Sequence, residues 1–404
     1  MKGLIKSMYN QLFFLLTILW VLQGCAQNGS DSQGESRPYV VDIKECLEKE
    51  HTVLLSELVD TIEYLELKTP KDLIITNIRD VKPVEDFLLV KARLILYKFT
   101  SDGQYITTIG NWGQGPGEYD GAIDFDVDYE KREILISDCN NLYHYDYDGK
   151  YLYMNKGTNF CYFTFQDSLI WACNHASTPL QPNRYAVMNR KGDTLRTYPN
   201  PIYGILGVEG GLRSYTSTNT MRFYRHGGQL YTKGQMDEDT VYQVHGMERI
   251  PYLVCNMGSL HLPDKYAAWY DWEAFQKYGI DYWQVSAAFE DDRYVYLTVQ
   301  RARWDDDGDD LRYVLYDKVT REGFVQKKHA QQRIKDDILG CIDFWPHFSS
   351  DDYFYRVIEW YNLEKTLEEG HYNLKPELQK QFDTFDYGTN QLIIRCKKKK
   401  REGN

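Results

Sequence analysis

Three stretches of the chain follow one plan at intervals of about 45 residues. In "YKFTSDGQYITTIG" (97–110), "YHYDYDGKYLYMNKG" (143–157) and "AVMNRKGDTLRTYPN" (186–200), a strand-like run reaches a polar residue and a glycine, and a second run leaves. Gly103, Gly149 and Gly192 suit two-residue hairpins, because glycine takes positive φ without Cβ strain. "LYDKVTREGFVQ" (315–326) repeats the plan, and "DTVYQVHGMERI" (239–250) is a looser copy. Such a period, with four short strands in each unit, is the size of one propeller blade. A content of 15% aromatic residues with 34 tyrosines agrees with β structure.

Six units start near Ile75, Ile123, Tyr162, Met221, Trp283 and Ile342. The expectation is an all-β chain: a six-bladed β-propeller over 39–396 with short helical insertions. "LPDKYAAWYDWEAFQKYG" (262–279) and "KPELQKQFDTF" (375–385) carry helical apolar spacing and read as helices over the rim. "TIEYLEL" (61–67) and "QLIIRC" (391–396), from opposite ends of the chain, are expected to share a blade and close the ring.

The glycine-rich run "IGNWGQGPGEYDG" (109–121) invites comparison with phosphate-binding loops. It lacks the Gly-Lys-Ser/Thr entry into a helix, and its glycines miss the Gly-x-Gly-x-x-Gly spacing. It lies between the first two units and is expected to connect two blades.

Residues 1–24 read as a lipoprotein signal peptide. Lys2 and Lys6 precede the apolar run Leu12–Leu22, which is too short to span about 30 Å of hydrocarbon as a helix. The run ends in Leu22-Gln23-Gly24-Cys25, an order that resembles the bacterial lipobox and makes Cys25 the expected lipidation site. Residues 25–38 are a polar, flexible tether, and 397–404 a basic, solvated tail. The expected location is the cell envelope, lipid-anchored to a bacterial membrane, the outer one, and periplasmic or surface-exposed. A net charge of −12 excludes nucleic acid as an expected partner.

No Cys-x-x-Cys occurs among the eight cysteines. Cys161 and Cys173 stand six residues either side of Asp167 in a predicted hairpin, so they are either a cross-strand disulfide or two buried thiols.

"GQGPGEY", "LSELVDTIEYLEL", "DTVYQV" and "DDILGCIDFWP" together resemble the bacterial six-bladed β-propeller lipoproteins related to NHL- and TolB-like propellers. The resemblance runs from about Leu54 to Ile394. It implies the fold and an envelope location, and it implies no chemistry.

Propellers place ligands where their innermost strands converge, so polar residues near the unit starts are the candidates: Arg79, Asp80, Asp124, Asp126, Arg222 and His347. These residues either hold a polar ligand or a divalent cation such as calcium, or line a wet channel and bond one another. Asp124, Asp126 and Asp128 alternate and share a strand face, as a cation site or a solvated edge. "WDDDGDD" (304–310) lacks the acids that a calcium loop needs and reads as a hairpin tip. Trp269, Tyr270, Trp272, Trp283 and Trp345 serve either ligand stacking or packing. Gly-x-Ser-x-Gly, His-Glu-x-x-His and Ser-x-x-Lys are absent. The expected function is therefore binding of a protein, peptide or glycan at the propeller face, with no required cofactor and no catalytic residue. A metal-dependent hydrolase or lyase acting at the channel is the alternative.

Overall fold

The computed structural model describes residues 38–174, 182–200, 203, 223–233, 238–261, 282–301, 311–327, 333–370, 372–385, 389 and 391–400. Within them, six small sheets form the six blades of a β-propeller. Blades 1 to 5 take their four antiparallel strands in chain order: Ile78–Ile109, Asp124–Lys156, Tyr162–Pro199, Phe223–Asn256 and Trp283–Gln326. Blade 6 combines Phe348–Ser349, Tyr353–Glu359 and Gln391–Lys398 with Val59–Glu66 as its outermost strand. Ile394 lies opposite Tyr64 in that last pairing, so the two ends of the sequence close the ring as expected.

The repeated glycine makes a turn one residue longer than the sequence reading. Thr100 and Gln104 pair around a loop that ends in Gly103, whose φ is +89°, and whose N–H donates to Thr100 O at 3.0 Å. The same bonds recur at Gly149 and Gly192. This is a three-residue loop with glycine in its left-handed final position. The register shift beside each loop is the accompanying bulge.

Each blade hides its apolar faces against its neighbours. Val84, Leu96, Phe125 and Ile136 join blades 1 and 2, while Leu135, Phe163 and Ala186 join blades 2 and 3. Trp171, Val187, Leu230 and Val244 join blades 3 and 4, and Val90, Phe99, Tyr355 and Ile393 join blades 6 and 1. Blades 4, 5 and 6 share one continuous core with the N-terminal segment.

That segment is a strap laid along three outer edges in turn. Tyr39–Asp42 runs parallel to the outer strand of blade 4, with Tyr39 opposite Leu253. A short helix, Ile43–Glu48, follows, capped by Asp42 Oδ1 accepting from Glu45 N at 2.9 Å. Glu50–His51 then adds to the outer strand of blade 5, before Val59–Glu66 enters blade 6. A Cβ at Gly323 would stand 2.2 Å from Cys46 Sγ, so glycine is what lets the helix sit on blade 5. Only the blade 6 strand of the strap is foreseen by the sequence reading.

The run 109–121 connects blades 1 and 2, as expected, and is packed rather than loose. Tyr119 OH donates to Ile109 O and Tyr145 OH to Gly117 O, both at 2.9 Å. At Gly110, with φ +64°, a Cβ would meet the Tyr145 hydroxyl at 2.5 Å. Two helices, Trp360–Glu369 and Pro376–Phe382, lie between strands of blade 6, and the second matches the helix expected at 375–385. The helix expected at 262–279 lies outside the described residues. Among the described residues, no helix is long and apolar enough to cross a membrane.

Two sequence expectations are corrected here. Tyr162, not Cys161, lies opposite Cys173, because the turn is Asp167–Ser168 and the pairing is centred half a residue later than assumed. A one-residue offset moves a side chain to the other face of a strand. Cys161 is instead disulfide-bonded to Cys139, and Cys173 is a buried thiol. Nor is the basic cluster a free tail at its start, since Lys397 and Lys398 belong to the ring-closing strand. Alternation turns Lys398 inward after Ile394 and Cys396, and it is 4% exposed.

Candidate functional site

The innermost strands surround a central cavity of about 1260 Å³. Its wall differs from one side to the other. Blades 1 to 4 carry a polar belt that runs from strand to strand. Lys82 Nζ of blade 1 bonds Asp126 Oδ1 of blade 2 at 2.5 Å. Asp126 Oδ2 accepts from Thr164 Oγ1 at 2.7 Å and Phe165 N at 2.9 Å, both in blade 3. Arg225 of blade 4 donates to Gln166 Oε1 at 2.8 Å and reaches Thr164 Oγ1 at 3.4 Å. Burial would raise the Asp126 pKa, but Lys82 and then Arg225 outweigh it, and the carboxyl stays below its usual range. One turn lower, Arg190 bonds both Asp128 and Glu130. Asp126 and Asp128 are 3% and 4% exposed, so their shared face is neither a solvated edge nor an open cation site. Buried carboxylates of this kind require partners, and the neighbouring blades supply them.

Nearer the start of the inner strands, the groups are not consumed by one another. Among the described residues, Asp80 accepts only from the N–H of Val81, through Oδ1, and Asp124 only from Phe163 N, through Oδ2 at 2.9 Å. Burial raises both pKa values, that of Asp124 to about 6 even though Lys91 and the Phe163 N–H oppose the rise. Arg79 lines the same region and has no ion pair or hydrogen bond through its side chain among the described residues. His347 opens onto the cavity from blade 6, its Nδ1 accepting from Val357 N at 3.5 Å. That contact leaves the proton of the neutral ring on Nε2. Enclosure by the surrounding wall, then Arg356 and Arg333, push the His347 pKa down, although the side chain itself is exposed to the cavity.

Blades 5 and 6 complete the wall with Ser286, Ala287, Phe289, Tyr313, Trp345 and Phe348. Trp345 is 2% exposed and donates from its indole to Thr298 Oγ1 at 3.0 Å, so it is packing. Trp283 lies half-buried against the guanidinium groups of Arg301 and Arg312. Polar side chains are interspersed in this arc, Ser286, Thr298, Ser349 and Gln300 among them, and Gln300 is 4% exposed.

Five of the six predicted channel residues therefore do line one cavity: Arg79, Asp80, Asp124, Asp126 and His347. Arg222 lies outside the described residues, as do Cys25, the acidic run 304–310 and the aromatic residues 269, 270 and 272. The sequence reading missed Lys82, Thr164, Arg225 and Gln300. Lys82 was within reach, because it stands two residues beyond Asp80 on the same inner strand. Gln300 gives no signal inside the apolar run "YVYLTVQ". Among the described residues, no three His, Cys, Asp or Glu side chains gather as a metal-ligand set.

A family model described as "Domain of unknown function (DUF4934)" matches residues 38–397, so the chain belongs to that family. The chain matches no curated protein in sequence. It is similar in structure to a crystal structure titled "Putative exported protein" from Bacteroides fragilis, at 18% identity and a TM-score of 0.64. That match covers 90% of this chain and 100% of the other, and at such identity it shows the fold alone. An extracellular domain of a "putative hybrid two component system" from B. thetaiotaomicron is 11% identical at a TM-score of 0.39, covering 65% of this chain and 29% of that one. The WD40 domain of Neurospora crassa Pan2 is 9% identical at 0.35, covering 61% and 64%. Neither of these two likenesses bears on this chain's function.

Proposed function

We propose that this member of the DUF4934 family is a binding protein that receives a peptide, a glycan or an exposed group of a protein in its central cavity, without catalysis. One observation carries the reading. The belt of Lys82, Asp126, Thr164 and Arg225 is bonded within itself, whereas Asp80, Asp124, Arg79 and His347 line the cavity and keep bonding capacity among the described residues. A concave, partly apolar wall bearing a few convergent polar groups is the ordinary form of a ligand site.

The Leu22–Cys25 run supports export and a lipid at Cys25, holding the propeller in the cell envelope, at the outer membrane, on its periplasmic or exposed side. Kinship with NHL- and TolB-like propellers belongs to the same reading.

To test it, purified protein is dialysed against separate pools of short peptides and oligosaccharides, and the retained species are weighed by mass spectrometry. Ala287 lines the cavity. Ala287→Trp, folded by circular dichroism, is expected to abolish retention. Retention that survives this plug, or retention from neither pool, overturns the proposal. Cys25→Ala is expected to lose incorporation of a fatty-acid probe in cells.

A second reading, a hydrolase or lyase acting at the channel, draws on Asp124, since a carboxyl held at about 6 beside Asp80 is suited to proton transfer. New masses appearing in the dialysed pools would favour it.

A further inference from the structure

We infer that the ligand of the cavity is a neutral polyhydroxylated molecule, a saccharide, whose hydroxyls bond Asp80, Asp124, Arg79 and Gln300 while its C–H faces rest on the arc of blades 5 and 6. The inference deepens the binding reading and rests on it.

The first ground is the kind of group left open. Asp80 and Asp124 each retain one carboxylate oxygen without a partner among the described residues, and both are acceptors. The Arg79 guanidinium and His347 Nε2–H are donors. Gln300 offers an acceptor and a donor in one amide, is 4% exposed, and makes no side-chain hydrogen bond among the described residues. Directly across the strand pair, Gln284 has both amide atoms buried without a partner. A hydroxyl both donates and accepts, so a vicinal pair satisfies neighbouring acceptors and donors together. An amine would leave the guanidinium and imidazole unmatched, and an anion would meet two carboxylates.

The second ground is charge. Six cationic side chains and seven carboxylates line the cavity among the described residues. Lys82, Arg190, Asp126, Asp128 and Glu130 are paired across blades and the remaining signs nearly balance, so the wall as a whole asks for little counter-charge. A ligand of one sign would gain little and would lose its own hydration.

The third ground is the facing wall. Blades 4 and 5 stand across the ring from blades 1 and 2, and from them and the adjoining blade 6 the partly exposed Phe223, Ala287, Leu311 and Phe348 present apolar surface. A sugar has polar edges and apolar C–H faces, and this cavity has both kinds of wall in matching opposition.

Isothermal titration tests the assignment with neutral oligosaccharides of glucose, mannose, galactose and xylose, with an oligogalacturonate and an oligolysine as charged comparators. At least one neutral probe is expected to bind. Asp124→Ala and Arg79→Ala are each expected to weaken it about tenfold or more, and Asp124→Asn, which keeps an acceptor oxygen, less. Binding of charged probes only, indifference to both alanine variants, or silence from every neutral probe overturns the inference. Peptides retained in the dialysis and lost in Ala287→Trp would then preserve the binding reading while the saccharide falls. If neither class is retained, both fall.

Discussion

Blades 1 to 3 and blades 4 to 6 are built from the same hairpin unit and are held in different ways. The second group is strapped: an N-terminal segment crosses its outer edges and merges three blades into one core. The first group keeps separate cores between neighbouring pairs of blades. The inner faces differ in parallel. The strapped half lines the cavity with few charges, and the unstrapped half supplies six of its seven carboxylates and five of its six cations among the described residues. The lesson concerns support. Ion pairs at the cavity wall have water at hand, whereas those inside the strapped half depend wholly on one another.

The largest difference is expected where that dependence is complete. Glu290, fully buried, accepts from Lys318 Nζ at 2.8 Å, Tyr252 OH at 2.7 Å and Tyr224 OH at 3.2 Å. Lys398 Nζ donates to the carbonyl of the same residue at 3.0 Å, and burial pushes its pKa down to about 8. Glu290→Ala strands Lys318 and is expected to cost about 3–5 kcal/mol in urea unfolding. Asp126→Ala removes a partner from Lys82, which keeps access to cavity water, and is expected to cost about 1–3 kcal/mol. Equal losses would break the comparison.

The strap itself comes next. Tyr39 is 3% exposed and meets Tyr252 and Tyr316 edge-on, with centroids 5.5 and 6.0 Å away. Tyr39→Ala is expected to cost about 3 kcal/mol, against at most about 0.5 kcal/mol for Leu152→Ala on the uncovered outer strand of blade 2. Thermal unfolding of the two variants checks the contrast.

The unstrapped half was the more legible one in sequence. Its turns carry Asp-Gly or Lys-Gly at blade spacing, and its strands follow one another in order. The strap was mostly illegible because four residues at 39–42 and two at 50–51 are too short to show alternation. Their parallel partners also lie far along the chain. At the site, position in the unit was enough to choose Asp80, Asp124 and His347. Whether Asp126 was open or spent depended on Lys82 and Thr164 in other blades, which no local pattern encodes. The disulfide reading failed on a single residue of register at Asp167–Ser168.

Gly323→Ala sharpens the comparison at one atom. The new methyl would collide with Cys46 Sγ and push the strap helix from blade 5, at an expected cost of about 1–3 kcal/mol. Adding Cys46→Ala removes the opposing sulfur, and the double variant is expected to recover most of the loss. If it does not, the helix is not what the glycine accommodates.

The smallest effect belongs to the open half and depends on pH. Asp124 faces Lys91, Asp80, Lys82 and the N–H of Phe163, and burial raises its pKa from 3.8 to about 6. A carboxyl raised on folding contributes its stability in full below its unfolded pKa, near 3.8, and loses it as pH climbs through the folded value of about 6. Asp124 therefore favours the folded chain at pH 4 relative to pH 7, opposite in sign to Asp126, whose pKa is lowered. Asp124 is only half-buried and cavity water screens it, so the contribution is modest. Urea unfolding of Asp124→Asn and the parent at pH 4, 5, 6 and 7 isolates it. The asparagine variant is expected to lack the decline between pH 4 and 7 that the parent owes to this group. Identical profiles would mean that the cavity wall solvates Asp124 as well as bulk water does, and would erase the electrostatic distinction between the upper wall and the belt below it.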